Sequence, residues 1–290
     1  MNERIPIVLK ADGDCAYAEA LAAHLKTSLL HTTPDAPVWL SVDAAGLSLT
    51  DGDQAMRGDF TKLQKRLQYH NLTHELLVKA TKVKGRENLR VIDATAGMGE
   101  DSLLLAAAGC EVTLFEQDPV IAALLQDTMR RALEEAALHE IVMRMQLVEG
   151  DSIDHLRKLG EAAPGSDAHE NDARHACSVL TESAATGNDA ATATSDADTA
   201  LKRPDVIYLD PMFPERQKSG LVKKKFQLIH YLEAPAENEE ALMQAALAAR
   251  PFKIVVKRPA KGPYLAGLKP SYSLDGKAIR YDCYVFPENV

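Results

Sequence analysis

The 290-residue chain has no excess of basic side chains: 33 Lys and Arg stand against 42 Asp and Glu, a formal net charge of −9. Taken over the whole molecule, this argues against a polyanionic partner, because phosphate binding needs clustered Lys and Arg. Cysteine is scarce too. Cys15, Cys110, Cys177 and Cys283 lie far apart, with no C-x-x-C pair or Cys/His cluster at metal-ligand spacing. Reduced thiols, a cytoplasmic setting and no metal site are expected. His70 and His74 are four residues apart but lack a third ligand, and read as helix residues. No Ser or Cys sits in a nucleophile elbow. Long apolar runs are missing: nothing reaches the roughly 18 residues of a membrane span, and MNERIPIVLKADGD has no signal-peptide core. Neither secretion nor a transmembrane helix is expected. The 46% hydrophobic content still excludes a chain disordered throughout.

The charge is unevenly spread. Between Glu161 and Ala200 eight acids face one base, a net of −7, in a stretch of Ala, Thr, Ser, Asp and Asn. So few large apolar side chains cannot offset the entropy of ordering, which predicts a disordered acidic insertion over 161–202. Residues 1–60 read as a small N-terminal α+β module: the strand IPIVLK, the helix AYAEALAAHL, and VWLSVDAAGLSLT as two strands joined near Ala45-Gly46. From residue 61 to 290 strands alternate with helices. LRVID, EDSLLLAAAG, EVTLFE, PVIAALLQDTMRRALEEAAL and MQLVEG precede the insertion, and DVIYLD, ENEEALMQAALAAR, KIVVKR and RYDCYVF follow it. This rhythm predicts an α/β fold with a mostly parallel sheet and helices on both faces. Without the insertion, Asp151 and Asp210 are one βα unit apart.

Ligands of such sheets bind at the carboxyl ends of the strands. The first strand runs through Asp93-Ala-Thr-Ala-Gly97-Met-Gly99 into Glu100-Asp101. Glycines permit a tight turn and close approach of a ligand, although a plain turn needs them equally. The third glycine of G-x-G-x-x-G is absent, and Glu100 and Asp101 would repel a pyrophosphate at the helix start. A cationic, phosphate-free nucleoside suits them better, and S-adenosylmethionine is one. Glu116, 19 residues past Gly97, can accept from ribose hydroxyls, with Gln117 beside the adenosine. Asp151-Ser152 ends the third strand, placed either for an adenine amine or as a helix cap.

The fourth strand ends in Asp210-Pro211-Met212-Phe213-Pro214, similar to the [D/N]-P-P-[Y/F] box of amino-methylating enzymes. An amine conjugated to a heteroaromatic ring is a poor nucleophile. Its N–H groups, bonded to a carboxylate and to a carbonyl held by proline, can aim the nitrogen lone pair at a sulfonium methyl. An aromatic two residues after the proline can stack on the base. Basic residues flank this box. Residues 57–90 carry a net of +6, and residues 201–290 a net of +5. Lys62, Arg66, Lys218, Lys223, Lys224, Lys225, Lys257 and Arg258 are the candidate RNA contacts. On residues alone, DNA adenine, protein glutamine, a non-catalytic RNA-binding role and, more distantly, an NAD-dependent oxidoreductase stay open.

The segments VIDATAGMGED (91–101), FEQDPVIAALL (115–125), YLDPMFPERQKSGLVKKK (208–225) and VVKRP (255–259) closely resemble the bacterial RsmJ family. The resemblance covers the chain from about residue 57 onward. It implies a class I, Rossmann-like methyltransferase fold with a mostly parallel seven-stranded sheet. The implied reaction is transfer of a methyl group from S-adenosylmethionine to N2 of guanine 1516 of 16S ribosomal RNA, free or in the 30S subunit. The family's cofactor positions fall on Glu100-Asp101, Glu116-Gln117, Asp151-Ser152 and Asp210, with Asp93, Gly97 and Gly99 completing the expected cradle. Asp210, Pro211 and Phe213 are the expected catalytic group, with no metal. Glu100 and Gln117 stand where many relatives have Arg, and the 161–202 insertion has no recognised counterpart.

Overall fold

The structure is a computed structural model that describes residues 5–161, 203–211, 228 and 238–286. The acidic insertion, Phe213, Lys218 and Lys223-Lys224-Lys225 lie outside the described residues.

Two sheets organise the chain. The first contains β1 (Ile7–Leu9), β2 (Leu29–Leu30), β3 (Trp39–Asp43), β4 (Gly46–Thr50) and β5 (Ala55–Met56) in the order β2-β1-β3-β4-β5. Helix α1 (Cys15–Leu25) follows β1, its first turn capped by the Asp14 carboxylate, which accepts the Tyr17 N–H. β3 and β4 form an antiparallel hairpin in which Asp43 pairs with Gly46, and Gly46 takes the positive φ (105°) that ends the turn.

Three short helices, α2 (Gln64–Leu67), α3 (Tyr69–Leu72) and α4 (Leu76–Thr81), lead into the larger sheet. That sheet holds β6 (Arg90–Asp93), β7 (Glu111–Glu116), β8 (Met145–Glu149), β9 (Val206–Leu209), β10 (Lys253–Pro259), β11 (Tyr272–Asp275) and β12 (Ile279–Val285). The order is β11-β12-β10-β9-β6-β7-β8, and only β12 runs against the others. The crossover helices are α5 (Glu100–Ala107), α6 (Pro119–Leu133), α8 (Ser152–Glu161) and α9 (Glu239–Ala248), with the short α7 (His139–Val142) before β8.

Period-two alternation explains why both faces are covered. Val91, Val206, Tyr208 and Val255 enter one core with Leu103 and Leu105 of α5. Ile92, Ile207, Leu209, Ile254 and Val256 enter the other with Leu156 of α8 and Met243 of α9. Helix α6 serves two cores: Leu125 packs with α5, while Ala123 and Leu124 pack with the N-terminal sheet. The two sheets are also joined by the buried Asp127 on α6. It accepts from Leu47 N–H (3.0 Å) and Arg131 Nε (2.8 Å) at Oδ2, and from Arg130 at Oδ1 (3.0 Å).

Two sequence expectations change. The final strand has an additional edge partner, β11, and the long helix beginning at Pro119 stops at Leu133 instead of continuing to residue 138.

Candidate active site

β6 and β9 are hydrogen-bonded neighbours, yet the chain proceeds from β6 toward β7 and β8 on one side and from β9 toward β10 on the other. Their carboxyl ends therefore border the switch point where such sheets open a crevice. The loop after β6 is fastened on all sides. Ala94 N–H donates to Tyr208 O (3.0 Å), Ala96 N–H to Phe115 O (2.9 Å), and Gly97 N–H to Glu116 Oε2 (2.9 Å). Thr95 Oγ1 accepts the Asp210 N–H at 2.6 Å, so the loops after β6 and β9 are tied together where the crevice begins.

The two glycines of this loop do different work. Both have positive φ, 54° at Gly97 and 74° at Gly99. A Cβ on Gly97 would meet nothing within 4 Å, which leaves this backbone bare toward open space. A Cβ on Gly99 would lie 2.6 Å from Leu125 Cδ1, in the core. Gly99 is thus required for helix packing, a role the sequence did not single out.

Asp93 is also corrected: it is 1% exposed, with Oδ2 accepting from Ser102 Oγ (2.6 Å) and Oδ1 from Thr95 N–H (3.1 Å). It holds the loop from below and makes no open contact. Burial, opposed by those two hydrogen bonds, pushes its carboxyl up to about 7. Glu116 is buried as well. Its Oε1 accepts from Asp118 N–H (2.8 Å), so the carboxylate bonds the loops of Gly97 and Asp118 together. Burial raises its pKa. Asp118 in turn caps α6 through Val120 and Ile121 N–H. Asp151 is exposed and caps α8 through Ile153 N–H (2.8 Å), whereas Ser152 is buried. Glu100 and Gln117 are exposed at the same edge.

The register of β10 against β9 pairs Val256 with Leu209, which brings Lys257 level with Asp210. Lys257 Nζ donates to Asp210 Oδ2 (2.8 Å) and to Asp101 Oδ2 (2.7 Å), and Tyr208 OH donates to the same Asp101 oxygen (2.6 Å). Lys257 is therefore held inside the site by two carboxylates. Arg258, 1% exposed, points the other way: it donates to Glu239 Oε1 (3.1 Å) and Pro263 O (2.9 Å), a structural role that removes it from the RNA-facing set. Burial raises the Asp210 carboxyl, with the Lys257 ammonium pulling it back down.

Lys62 (paired with Asp59) and Arg66 (paired with Glu75) remain at the surface. Arg66 also feels Glu100 and Asp101, which places α2 beside the start of α5. Arg57, by contrast, pairs with Asp43 of the N-terminal sheet, and Arg86 and Arg90 lie at the opposite edge of the larger sheet, paired with Asp205 just before β9. Thr95, Tyr208 and the central role of Lys257 were not anticipated. The one signal available was a Lys at the end of a strand covered on both faces.

Comparison with known proteins matches residues 23–166 and 176–286 to the family described as "Putative SAM-dependent methyltransferase". A ribosomal RNA small subunit methyltransferase J from Thioalkalivibrio sulfidiphilus is 38% identical over 98% of each chain. One from Pseudomonas fluorescens SBW25 is 36% identical over 97% of this chain and 94% of its own. The chain belongs to the ribosomal RNA small subunit methyltransferase J family. A solved SAM-dependent methyltransferase from Neisseria gonorrhoeae, 26% identical, superimposes with a TM-score of 0.69 over 98% of this chain and 97% of its own.

The family and its fold make S-adenosylmethionine the cofactor. The edge fits it: the loops after β6, β7 and β8 carry acids and no Lys or Arg, and Gly97 leaves open space above the backbone. That donor set suits a cationic nucleoside and would repel a dinucleotide's phosphates. Among the described residues, no helix is long and apolar enough to cross a membrane.

Proposed function

We propose that this methyltransferase modifies the exocyclic N2 amine of a guanine in 16S ribosomal RNA, nucleotide 1516 of the small subunit, in the cytoplasm. The observation that carries the reading is Asp210-Pro211 at the carboxyl end of β9, tied through Thr95 to the loop that bares Gly97. The names of the relatives support the ribosomal substrate.

S-adenosylmethionine supplies an already activated methyl group on a positively charged sulfur. Glu116 would receive its ribose hydroxyls, Asp151 its adenine amine, and Gly97 its methionine portion. Asp210 accepts one N–H of the guanine amine and the Pro211 carbonyl the other, which turns the nitrogen lone pair toward the methyl. The methylated nitrogen would have to shed a proton. The Asp210 carboxylate is the base beside it. Phe213 stacks on the base, and Lys62, Arg66, Lys218 and Lys223-Lys224-Lys225 meet RNA phosphates.

The test is transfer of a labelled methyl group to 30S particles and free 16S RNA lacking the modification, mapped by mass spectrometry. Methylation at that guanine, abolished in Asp210→Ala, is the expected result. A methyl group found elsewhere, or an Asp210→Ala variant as active as the native chain, overturns the assignment.

A further inference from the structure

Lys257 has no role in the reading above, yet its ammonium occupies the centre of the site. It lies between two carboxylates on different elements, Asp101 in the first turn of α5 and Asp210 at the end of β9, at 2.7 and 2.8 Å, with its side chain 23% exposed. Among the described residues Lys257 is the side-chain partner of Asp210 Oδ2, and Oδ1 accepts no hydrogen bond. Tyr208 OH, on the same oxygen of Asp101 as Lys257, fixes the far end of the bridge.

We propose that Lys257 is a positioning residue for methyl transfer: clamped against Asp101, it holds Asp210 Oδ2 and keeps that carboxylate charged, leaving Oδ1 for the acceptor amine. This rests on the proposed role of Asp210. Physical necessity supports it. Asp210 is faced by Asp93 from β6, Asp101 from α5, Tyr208 from its own strand, Tyr281 from β12 and Lys257 from β10, while Arg258, turned to the other side of β10, adds only a more distant positive charge. Burial and the two carboxylates favour a proton on Asp210, and a protonated acid offers a donor where the amine needs an acceptor. Lys257 is the cation in direct contact that opposes them. A cation at this range lowers a carboxyl pKa, so losing it moves the Asp210 titration up.

The experiment follows the Asp210 carboxyl by carbon-13 NMR in the native chain, Lys257→Met, Lys257→Arg and Asp101→Asn, with Asp210→Asn assigning the signal. It needs no acceptor RNA. The expected titration is higher in Lys257→Met, near native in Lys257→Arg, and lower in Asp101→Asn, where repulsion is relieved. In the transfer assay, the acid limb of the rate profile moves the same way, and Lys257→Met loses about 100-fold in kcat at neutral pH. Calorimetry with S-adenosylhomocysteine checks that each variant is folded and cofactor-competent. An Asp210 titration unmoved in Lys257→Met overturns the inference, as does a rate loss that is equal at every pH. A native chain that methylates no ribosomal particle overturns the proposed substrate instead, and the NMR result still decides this point.

Discussion

Gly97→Ala and Gly99→Ala should separate cofactor binding from stability, although the two residues are two positions apart in one loop. Both are left-handed, and an alanine there is strained by about 1–2 kcal/mol. At Gly97 the added methyl meets nothing, so that strain is the whole folding penalty. At Gly99 the methyl lies 2.6 Å from Leu125 Cδ1, and Leu125 is fully buried, so it must shift within a packed core. Overpacking of this kind adds about 1–3 kcal/mol, for a total near 2–5 kcal/mol. Urea denaturation should therefore rank native above Gly97→Ala above Gly99→Ala. Calorimetry with S-adenosylmethionine should show a different pattern. Gly97→Ala places its methyl in the space the ligand needs and weakens binding at least tenfold, or about 1.4 kcal/mol. Folded Gly99→Ala binds within about twofold of native, since its methyl points at α6. Native affinity in Gly97→Ala, or equal stability of the two variants, would refute the division of labour between the glycines.

Asp127→Ala leaves Arg130, Arg131 and Leu47 N–H without their shared acceptor. It should destabilise the chain by about 1–3 kcal/mol in urea unfolding, chiefly through the buried Leu47 N–H, without altering cofactor affinity per folded molecule. Asp93, raised to about 7 by burial, favours folding while protonated, so its contribution is full below pH 4 and is lost as pH rises to 7. Asp93→Asn should gain on the native chain by up to about 4 kcal/mol between pH 4 and 8; a constant difference between the two would contradict the raised pKa. Binding to small-subunit RNA, read by filter retention, should weaken as salt rises, with Lys62→Glu lowering the slope by about one ion; a salt-independent affinity would remove phosphate contacts from the interface.

Much of the fold was legible because the central strands obey a simple alternation. Val91/Ile92, Val206/Ile207 and Val255/Ile254 send neighbours to opposite cores, a pattern visible in sequence as continuous apolar runs, the first two ended by an acid and the third by Lys257. β11 escaped because an edge strand needs no such pattern: Tyr272 and Asp275 are exposed and the segment SYSLD has little apolar content. The stop of α6 at Leu133 escaped because no Gly or Pro marks it; ALEEAAL reads as helix throughout. Glycine roles were legible only as a pair. Both satisfy the turn, and separating them requires knowing that Leu125 of the next helix lies over Gly99.

The basic run KIVVKR was misread for a reason that applies to any central strand of a doubly covered sheet. Adjacent side chains point to opposite helical layers, so a pair of neighbouring cations cannot form one surface patch. Lys257 shares its face with Val255, whose core contains α5, and finds Asp101 in the first turn of that helix. Arg258 shares its face with Ile254 and Val256, whose core contains α9, and finds Glu239 in the first turn of that one. Both helices begin at the carboxyl edge of the sheet, where an acid is already favoured by the helix dipole. A cation at the end of the strand between them is drawn to that acid. The same geometry that turns Arg258 away from the crevice puts Lys257 against Asp210. On the proposed RNA substrate, the basic residues left to meet phosphates are those of α2, Lys62 before it and those that follow Pro211 in the sequence, while Lys257 acts on Asp210.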